Sequence, residues 1–306
     1  MSKPVVSVII PTHNRTALLR EALDSVGGQT FRDYELIVID DGSTEDIEAA
    51  IAGHATRPKI VRQAHEGPAA ARNRGIQEAA ADLVAFLDSD DLWHPTKLEV
   101  FLRVAEAKPD INVFYGPMLP IDLRGNPVPG RTKRCHDGWI TEKLFCSSFV
   151  HVPTILCRKV AVLAAGGFDA ALPVCEDYDL WLRLSVRERF GLIEDPLAKR
   201  RLHGNRLSKS LMGRNLAVKA MVLQRFFESG VANGQLDLGV ARARLARVLF
   251  VAGRAAFKDR RYQQAIELCR KSRSYGGSPL RTVPLMAGAG MMGLFGHDTP
   301  ELQSIR

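Results

Sequence analysis

The sequence has few cysteines, and they are not arranged as disulfide or zinc frameworks are. Its 306 residues contain five cysteines, an odd number, and no two of them form a C-x-x-C pair. Disulfide-rich folds and structural zinc sites need paired or closely spaced cysteines. We therefore expect reduced thiols and a fold that is held together by its hydrophobic core.

Long apolar runs are also missing. The first apolar stretch, residues 5–10, is too short for the core of a secretion signal and ends in Pro-Thr-His-Asn. The uncharged segment 283–296 has 14 residues, whereas a helix needs roughly 20 to cross a bilayer. This segment is predicted to be a buried or interfacial helix, and we expect the protein in the cytoplasm.

Acidic residues are scarce in the last third of the chain. Residues 199–306 contain 20 Lys and Arg but six Asp and Glu, whereas residues 1–198 contain 22 and 28. A basic surface attracts anions, so the candidate partners are a lipid diphosphate acceptor and the anionic headgroups at the inner face of a membrane. No reader motif for nucleic acid accompanies the charge, so nucleic acid is not expected.

Short apolar runs alternate with amphipathic stretches through the first third of the chain. The apolar runs predict strands at residues 5–10, 35–39, 60–62 and 83–87. The stretches between them predict helices at residues 16–26, 45–51 and 68–80. This β-α-β-α order predicts an α/β fold, with a doubly wound sheet that binds its ligands at the carboxyl ends of the strands.

The pattern changes twice further along the chain. Residues 111–149 are rich in Gly, Pro and short apolar pieces, which predicts a loop-rich, antiparallel region. From residue 214 onward the pattern is helical, with one tetratricopeptide-like hairpin at 245–272. We predict an α/β domain at residues 1–210 and an all-helical C-terminal appendage at residues 211–306. The domain is predicted to consist of two halves, at about 1–110 and 111–210.

A cluster of carboxylates follows the predicted strand at 83–87. In Asp88-Ser89-Asp90-Asp91 the first and third side chains are hard oxygen ligands held close together. Such a pair suits Mg²⁺ or Mn²⁺, which usually take one or two carboxylates and fill the remaining positions with phosphate and water. An acidic turn that caps a helix starting near Pro95 is the alternative interpretation.

Taken together, the motifs of residues 5 to about 205 resemble family 2 of the inverting glycosyltransferases, whose GT-A fold is a Rossmann-like mixed sheet with flanking helices. The motifs occur in the order of that family, each at a predicted strand end or helix start. They are Pro11-Thr12-His13-Asn14-Arg15, Asp40-Asp41-Gly42-Ser43, Gly67-Pro68-Ala69-Ala70-Ala71-Arg72-Asn73, Asp88-Ser89-Asp90-Asp91 and Glu176-Asp177-Tyr178-Asp179.

The resemblance implies a role for particular residues. It assigns Asp177 as the general base for the acceptor hydroxyl, with Glu176 orienting the acceptor. It assigns the divalent metal, Mn²⁺ or Mg²⁺, to Asp90, helped by Asp88 and by His203 in the basic loop after the last strand. The residues assigned to the donor nucleotide are Pro11, Thr12, Asn14, Asp41, Arg72 and Asp88, with Asp41 accepting the N–H of a uracil-like base.

Three of these residues have a simpler interpretation. An arginine such as Arg72 is also common on the solvated surface of a helix. A carboxylate such as Asp177 is also favoured at the N-terminus of a helix, which is the positive end of the helix dipole. A histidine in a basic loop, such as His203, is often only solvated.

The resemblance predicts an enzyme of polysaccharide biosynthesis that moves a sugar from a UDP-sugar to a saccharide or lipid-linked acceptor. A sugar nucleotidyltransferase is the first alternative, but it needs a glycine-rich phosphate loop after the first strand, where this chain has Pro11-Thr12-His13-Asn14. A non-catalytic scaffold that binds nucleotide is the second. It has no need of a general base such as Asp177.

Overall fold

The computed structural model describes residues 3–129, 133–202 and 212–294. Within these ranges the chain forms two compact units. The first is drawn from residues 1–140, 148–170 and 176–203, and the second from 141–147, 171–175 and 204–306. Two short segments of the half predicted at residues 111–210 therefore pack with the C-terminal helices.

A seven-stranded mixed sheet forms the centre of the first unit. Its strands are β1 (Val6–Thr12), β2 (Tyr34–Asp41), β3 (Lys59–Gln63), β4 (Leu83–Phe86), β6 (Val113–Tyr115), β8 (Leu156–Arg158) and β9 (Phe190–Leu192). Their order in the sheet is β3-β2-β1-β4-β8-β6-β9. The four strands predicted from the sequence are parallel neighbours, as expected, whereas β8 runs antiparallel to both β4 and β6.

Helices cover this sheet because their apolar residues recur on one side. All seven residues of β1 are buried, and α1 (Thr16–Gly27) buries Leu19, Ala22, Leu23 and Val26. The other helices of the unit are α2 (Ile47–Ile51), α3 (Pro68–Glu78), α4 (Lys97–Ala107), α6 (Lys159–Ala164) and α7 (Glu176–Ser185). Helix α3 lies close to the sheet, since a Cβ at Gly75 would collide with Ile9.

A second, three-stranded sheet completes the unit. It consists of β5 (Leu92–Trp93), β10 (Ala198–Arg201) and β7 (Met118–Ile121), in that order. Strand β10 pairs parallel with β7 and antiparallel with β5. Because β5 directly follows the Asp88–Asp91 cluster, this sheet brings Arg201 of β10 to that cluster.

The second unit is helical. It contains α5 (Thr141–Cys146), α8 (Met212–Glu228), α9 (Leu238–Lys258), α10 (Tyr262–Ser274) and α11 (Pro279–Leu294). Helices α9 and α10 pack closely where the predicted hairpin lies, since a Cβ at Gly253 would lie 3.0 Å from Cys269 Sγ. Among the helices of the described ranges, none is both long and apolar enough to cross a membrane.

One lysine lies wholly inside the first unit. The side chain of Lys97 is 0% exposed, and its Nζ has no hydrogen-bond partner among the described residues. The ammonium lies 3.7 Å from the ring centroid of Phe101 and 4.6 Å from that of Trp93. Burial lowers the pKa of Lys97 to about 7, because a buried ammonium loses its hydration.

Replacing this lysine by methionine should stabilise the protein. The pKa of Lys97 is lower in the folded than in the unfolded chain, so unfolding takes up a proton between about pH 7 and 10, and wild-type stability rises with pH across that window. The gain from Lys97→Met should therefore be largest below pH 7, about 2–4 kcal/mol after part of the penalty is offset by the two rings, and should shrink above it.

Urea unfolding at pH 6 and pH 9.5 measures this difference. Lys108→Met, at the exposed end of the same helix, is the matched control and should change stability little at either pH. A Lys97→Met gain that does not depend on pH would contradict the charged, desolvated state of this side chain.

Candidate functional site

Three strand ends lie side by side at one edge of the central sheet. Strand β1 ends at Thr12, paired with Asp40 at the end of β2, and the Leu87 N–H after β4 donates to Ile9 O of β1 at 3.0 Å. Since these strands are parallel, the loops that follow them share the carboxyl edge of the sheet. The predicted site residues of the motifs that follow β1, β2 and β4 therefore come together there.

Arg72 ties this edge to helix α7. Its Nη2 donates to Asp88 Oδ1 at 2.7 Å, and its Nη1 donates to Glu176 Oε1 at 2.7 Å. The residue is 4% exposed, so the interpretation of Arg72 as a solvated helix arginine is wrong. Burial lowers the pKa of Arg72, but the two carboxylates raise it by more. The arginine stays charged and fixes both acids.

Asp177 is the second residue of helix α7, next to Glu176. The side chain is half-buried, and its Oδ1 accepts from the Tyr178 N–H at 2.7 Å. Burial, and then the negative charge of Glu176, raise the pKa of Asp177 to about 6, against the opposing charge of Arg72. A carboxylate with this pKa is deprotonated at neutral pH and is a better proton acceptor than an ordinary aspartate.

The aspartates after β4 are each held in place. Arg15 Nη1 lies 2.7 Å from Asp90 Oδ2. Asp91 is buried, and its Oδ1 accepts from the Arg201 N–H at 2.9 Å, while Arg201 Nε donates to Asp90 O at 3.2 Å. Burial, and then the charges of Asp90 and Asp88, raise the pKa of Asp91 well above its ordinary value.

Asp41 holds the loop that leads into helix α3. Its Oδ1 accepts from Gln63 Nε2 at 2.8 Å and from the Glu66 N–H at 2.9 Å. Its Oδ2 accepts from the Gly67 N–H at 2.9 Å and lies 2.9 Å from His65 Nδ1. Because a carboxylate accepts about four hydrogen bonds, a nucleobase N–H would have to share or replace one of them.

The loop after β1 is fixed by Asn14. Its backbone φ is 50°, a left-handed conformation that Asn tolerates better than most residues. Its Oδ1 accepts from the Thr44 N–H at 2.8 Å and from the Glu45 N–H at 3.2 Å. Asn14 therefore joins the first two loops to each other in this structure.

Two imidazoles cover the Asp41 backbone. The rings of His13 and His65 stack with centroids 4.0 Å apart, and their Nδ1 atoms lie 2.8 and 3.0 Å from Asp41 O. A carbonyl oxygen only accepts, so both Nδ1 atoms carry the proton. Thr12 Oγ1, at the neighbouring strand end, is buried and has no hydrogen-bond partner among the described residues.

The carboxylates of Asp88 and Asp90 fit a divalent cation by their donor chemistry. In the ranges that the structure describes, no three His, Cys, Asp or Glu side chains form a group able to hold a metal. Two carboxylates with phosphate and water suffice for Mg²⁺, however. The guanidinium of Arg15 lies beside Asp90 in this structure. His203, predicted as a further ligand, lies outside the described residues.

The sequence interpretation assigned no role to Arg201. Its side chain is 1% exposed and donates through Nη2 to Glu21 Oε2 at 2.5 Å and through Nη1 to Leu123 O at 2.6 Å. The basic segment around it resembled a ligand loop, but nothing in its pattern distinguished Arg201 from Arg200. Arg15 belongs to the first of the five motifs, and the sequence interpretation likewise assigned it no role.

The family is established by comparison with known sequences. The sequence model of glycosyl transferase family 2 matches residues 7–146. An uncharacterized glycosyltransferase of Haemophilus influenzae is 31% identical over 210 residues, which cover 67% of this chain and 71% of that protein. This chain belongs to glycosyl transferase family 2. A further uncharacterized glycosyltransferase, from Rickettsia bellii, is 34% identical over 203 residues, which make up 65% of this chain. The matched residues make up 29% of that longer protein, so this chain spans less than a third of its length.

Solved structures show the same fold. TarS of S. aureus (residues 1–349, in complex with UDP) superposes with a TM-score of 0.63 at 16% identity, covering 95% of this chain and 92% of that one. The mannosyltransferase PcManGT of Pyrobaculum calidifontis, in complex with GDP-Man and Mn²⁺, has a TM-score of 0.57 at 16% identity, with coverages of 97% and 83%. The mixed sheet with flanking helices is the predicted GT-A fold.

Removing the charge of Arg72 should destabilise the protein strongly. Arg72→Met leaves the buried Glu176 carboxylate and the partly exposed Asp88 carboxylate without their counter-charge, which should cost about 3–5 kcal/mol. Urea unfolding at pH 7.5 measures the loss.

Arg74→Met, two residues along the same helix, is the matched control. Arg74 pairs with Glu78 and its side chain is 49% exposed, so its loss should cost below about 1 kcal/mol. Equal unfolding midpoints for the two variants would refute the bridging role of Arg72.

Proposed function

We propose that the protein is an inverting glycosyltransferase. It transfers a sugar from a nucleoside diphosphate donor, a UDP-sugar, to a hydroxyl of a saccharide or lipid-linked acceptor, as in polysaccharide biosynthesis. The observation that carries the proposal is the Arg72 bridge. It holds Asp88, at the strand edge where a donor would bind, and Glu176, next to Asp177 with its pKa of about 6.

In this mechanism, Asp177 takes the proton of the acceptor hydroxyl while the acceptor oxygen forms its bond to the anomeric carbon. The bond from that carbon to the phosphate oxygen breaks, and its electron pair leaves with the nucleoside diphosphate. A single displacement of this kind inverts the anomeric configuration. Glu176 is held by Arg72 and would orient the acceptor beside Asp177.

Asp90 and Asp88 would hold a divalent cation, Mn²⁺ or Mg²⁺, whose charge offsets the charge that develops on the leaving diphosphate. Arg72, which remains charged, lies beside the same position and contributes a fixed positive charge. The Mn²⁺ in the related mannosyltransferase structure supports this assignment.

For the donor base, we propose uracil. TarS binds UDP and UDP-GlcNAc, whereas PcManGT binds GDP-Man, so the fold accommodates both kinds of base. Pro11, Thr12 and Asn14 line the strand edge next to Asp41, and the buried Thr12 hydroxyl there has no hydrogen-bond partner among the described residues. Asp41 would accept the N–H of the base on an oxygen that already accepts from one of its present donors.

Asp177→Asn should reduce turnover by roughly 10²–10⁴-fold, because an amide cannot take the acceptor proton. The measurement is release of nucleoside diphosphate, beside donor affinity by calorimetry, which should be nearly unchanged. In the wild type, kcat/KM should fall tenfold per pH unit below about pH 6, since only the deprotonated Asp177 acts. Equal loss of turnover and donor binding would contradict the role of base.

Stability provides the control for this variant. The folded pKa of Asp177 lies above the ordinary value, so the folded protein binds the proton more tightly and loses stability as pH rises from about 4 to 6. Asn at this position avoids that penalty. Asp177→Asn should therefore unfold at the same or a higher urea concentration than wild type at pH 8, which rules out misfolding as the cause of inactivity.

Asp90→Asn should abolish turnover while leaving the fold intact, because a neutral amide binds a divalent cation weakly. Wild-type activity should disappear with excess chelator and return with Mn²⁺ or Mg²⁺. Asp33→Asn, an exposed residue before β2, is the matched control and should retain activity. Full wild-type activity in excess chelator would remove the case for a metal.

We also propose that the second unit contacts an anionic lipid surface, which would place the protein peripherally at the inner face of a membrane. Its described residues 212–294 contain 14 Lys and Arg against four Asp and Glu. Helix α11 exposes apolar side chains along its length, namely Leu280, Val283, Met291 and Met292. Charge and exposed apolar area together favour binding to anionic headgroups.

Flotation with vesicles tests this contact. The protein should co-migrate with vesicles that contain anionic lipid at low salt, and lose that binding as salt rises, because each basic residue contributes about 1 kcal/mol within a Debye length. Leu280→Glu should weaken the binding. Failure to co-migrate at low salt would rule the contact out.

A further inference from the structure

Arg15 is placed by the loop that Asn14 fixes. Asn14 accepts from the Thr44 and Glu45 N–H groups, and its own N–H donates to Ser43 Oγ at 3.0 Å. The next residue, Arg15, lies just before α1 and projects its guanidinium to Asp90, 75 residues along the chain. The contact is therefore built by the folded loop and does not arise from neighbours in sequence.

The two arginines at the carboxylate cluster differ in how firmly they are held. Arg72 is 5% exposed in its side chain and pairs with two carboxylates. The Arg15 side chain is 31% exposed, and Asp90, its partner, is 12% exposed. Arg15 can move into solvent or onto a ligand at low cost, whereas Arg72 cannot leave without stranding two acids.

We propose that Arg15 is an exchangeable counter-charge for Asp90. It neutralises Asp90 when donor is absent, and it passes to the diphosphate of the donor when a divalent cation takes its place on that carboxylate. This inference rests on the proposed function, because it assumes that a nucleoside diphosphate binds at this edge. It makes Arg15 a donor-binding residue and makes metal binding weak until the nucleotide arrives.

The exchange follows from simple electrostatics. A guanidinium 2.7 Å from Asp90 competes with any cation for the same oxygen. A diphosphate that binds nearby is a second anionic partner for Arg15, and it carries more charge than Asp90. A guanidinium forms bidentate hydrogen bonds with phosphate and with carboxylate alike. Metal and nucleotide should then bind cooperatively, each favouring the state that the other needs.

Calorimetry on the full chain tests the exchange without using turnover. Titrate Mn²⁺ alone, and UDP in the presence of saturating Mn²⁺, into wild type, Arg15→Gln, Arg15→Lys and the surface control Arg74→Gln. Arg15→Gln should bind Mn²⁺ alone about tenfold more tightly than wild type and bind UDP about tenfold more weakly. Arg15→Lys should stay near wild type in the Mn²⁺ titration, and Arg74→Gln should match wild type in both.

An Arg15→Gln protein that binds Mn²⁺ alone no more tightly than wild type overturns the exchange, and so does one with unchanged affinity for UDP. Thermal unfolding shows whether Arg15→Gln is folded, and Arg15→Lys gives the same comparison with the charge retained. The proposed function fails separately, if wild type consumes no nucleotide sugar. The opposite shifts in Mn²⁺ and UDP affinity would stand even then.

Discussion

The Arg72 guanidinium joins two carboxylates that come from distant parts of the chain. Asp88 follows the central strand β4, and Glu176 opens helix α7, 104 residues away from Arg72. Each acid would be costly to bury alone, and the arginine would be costly without them. The triad can therefore form only when helix α3, strand β4 and helix α7 are all in place. This requirement sets the position of Asp177.

The same charge arrangement explains why the pKa of Asp177 is raised while Asp88 and Asp90 are paired with arginines. Asp88 and Asp90 each have a guanidinium within 2.7 Å, from Arg72 and Arg15. Asp177 instead lies beside the negative Glu176, and burial and that charge raise its pKa. The two guanidinium groups therefore lie where a leaving diphosphate would need positive charge. The aspartate with the raised pKa lies where the acceptor hydroxyl would lose its proton.

The sequence predicts much of the first unit, because its signals are local. The apolar runs locate β1 to β4, and the polar residues that follow them fall at one sheet edge. The antiparallel β8 and the second sheet were not predictable, since short strands that pair over long distances leave little periodicity. The contacts of Arg201 and of Asp41 were missed for the same reason: burial and tertiary partners define them. The roles of Asp90 and Asp177 came from the family resemblance and remain proposals.

The anomeric configuration of the product tests the account most directly. The proposed mechanism uses Asp177 as the base and a single displacement, so an α-linked nucleotide sugar must give a β product. Real-time proton NMR of slow donor hydrolysis, with water as acceptor, resolves the first sugar anomer before it equilibrates, and needs no knowledge of the natural acceptor. We expect the β anomer to appear first, and Asp177→Asn to suppress it. Initial release of the α anomer would contradict the mechanism.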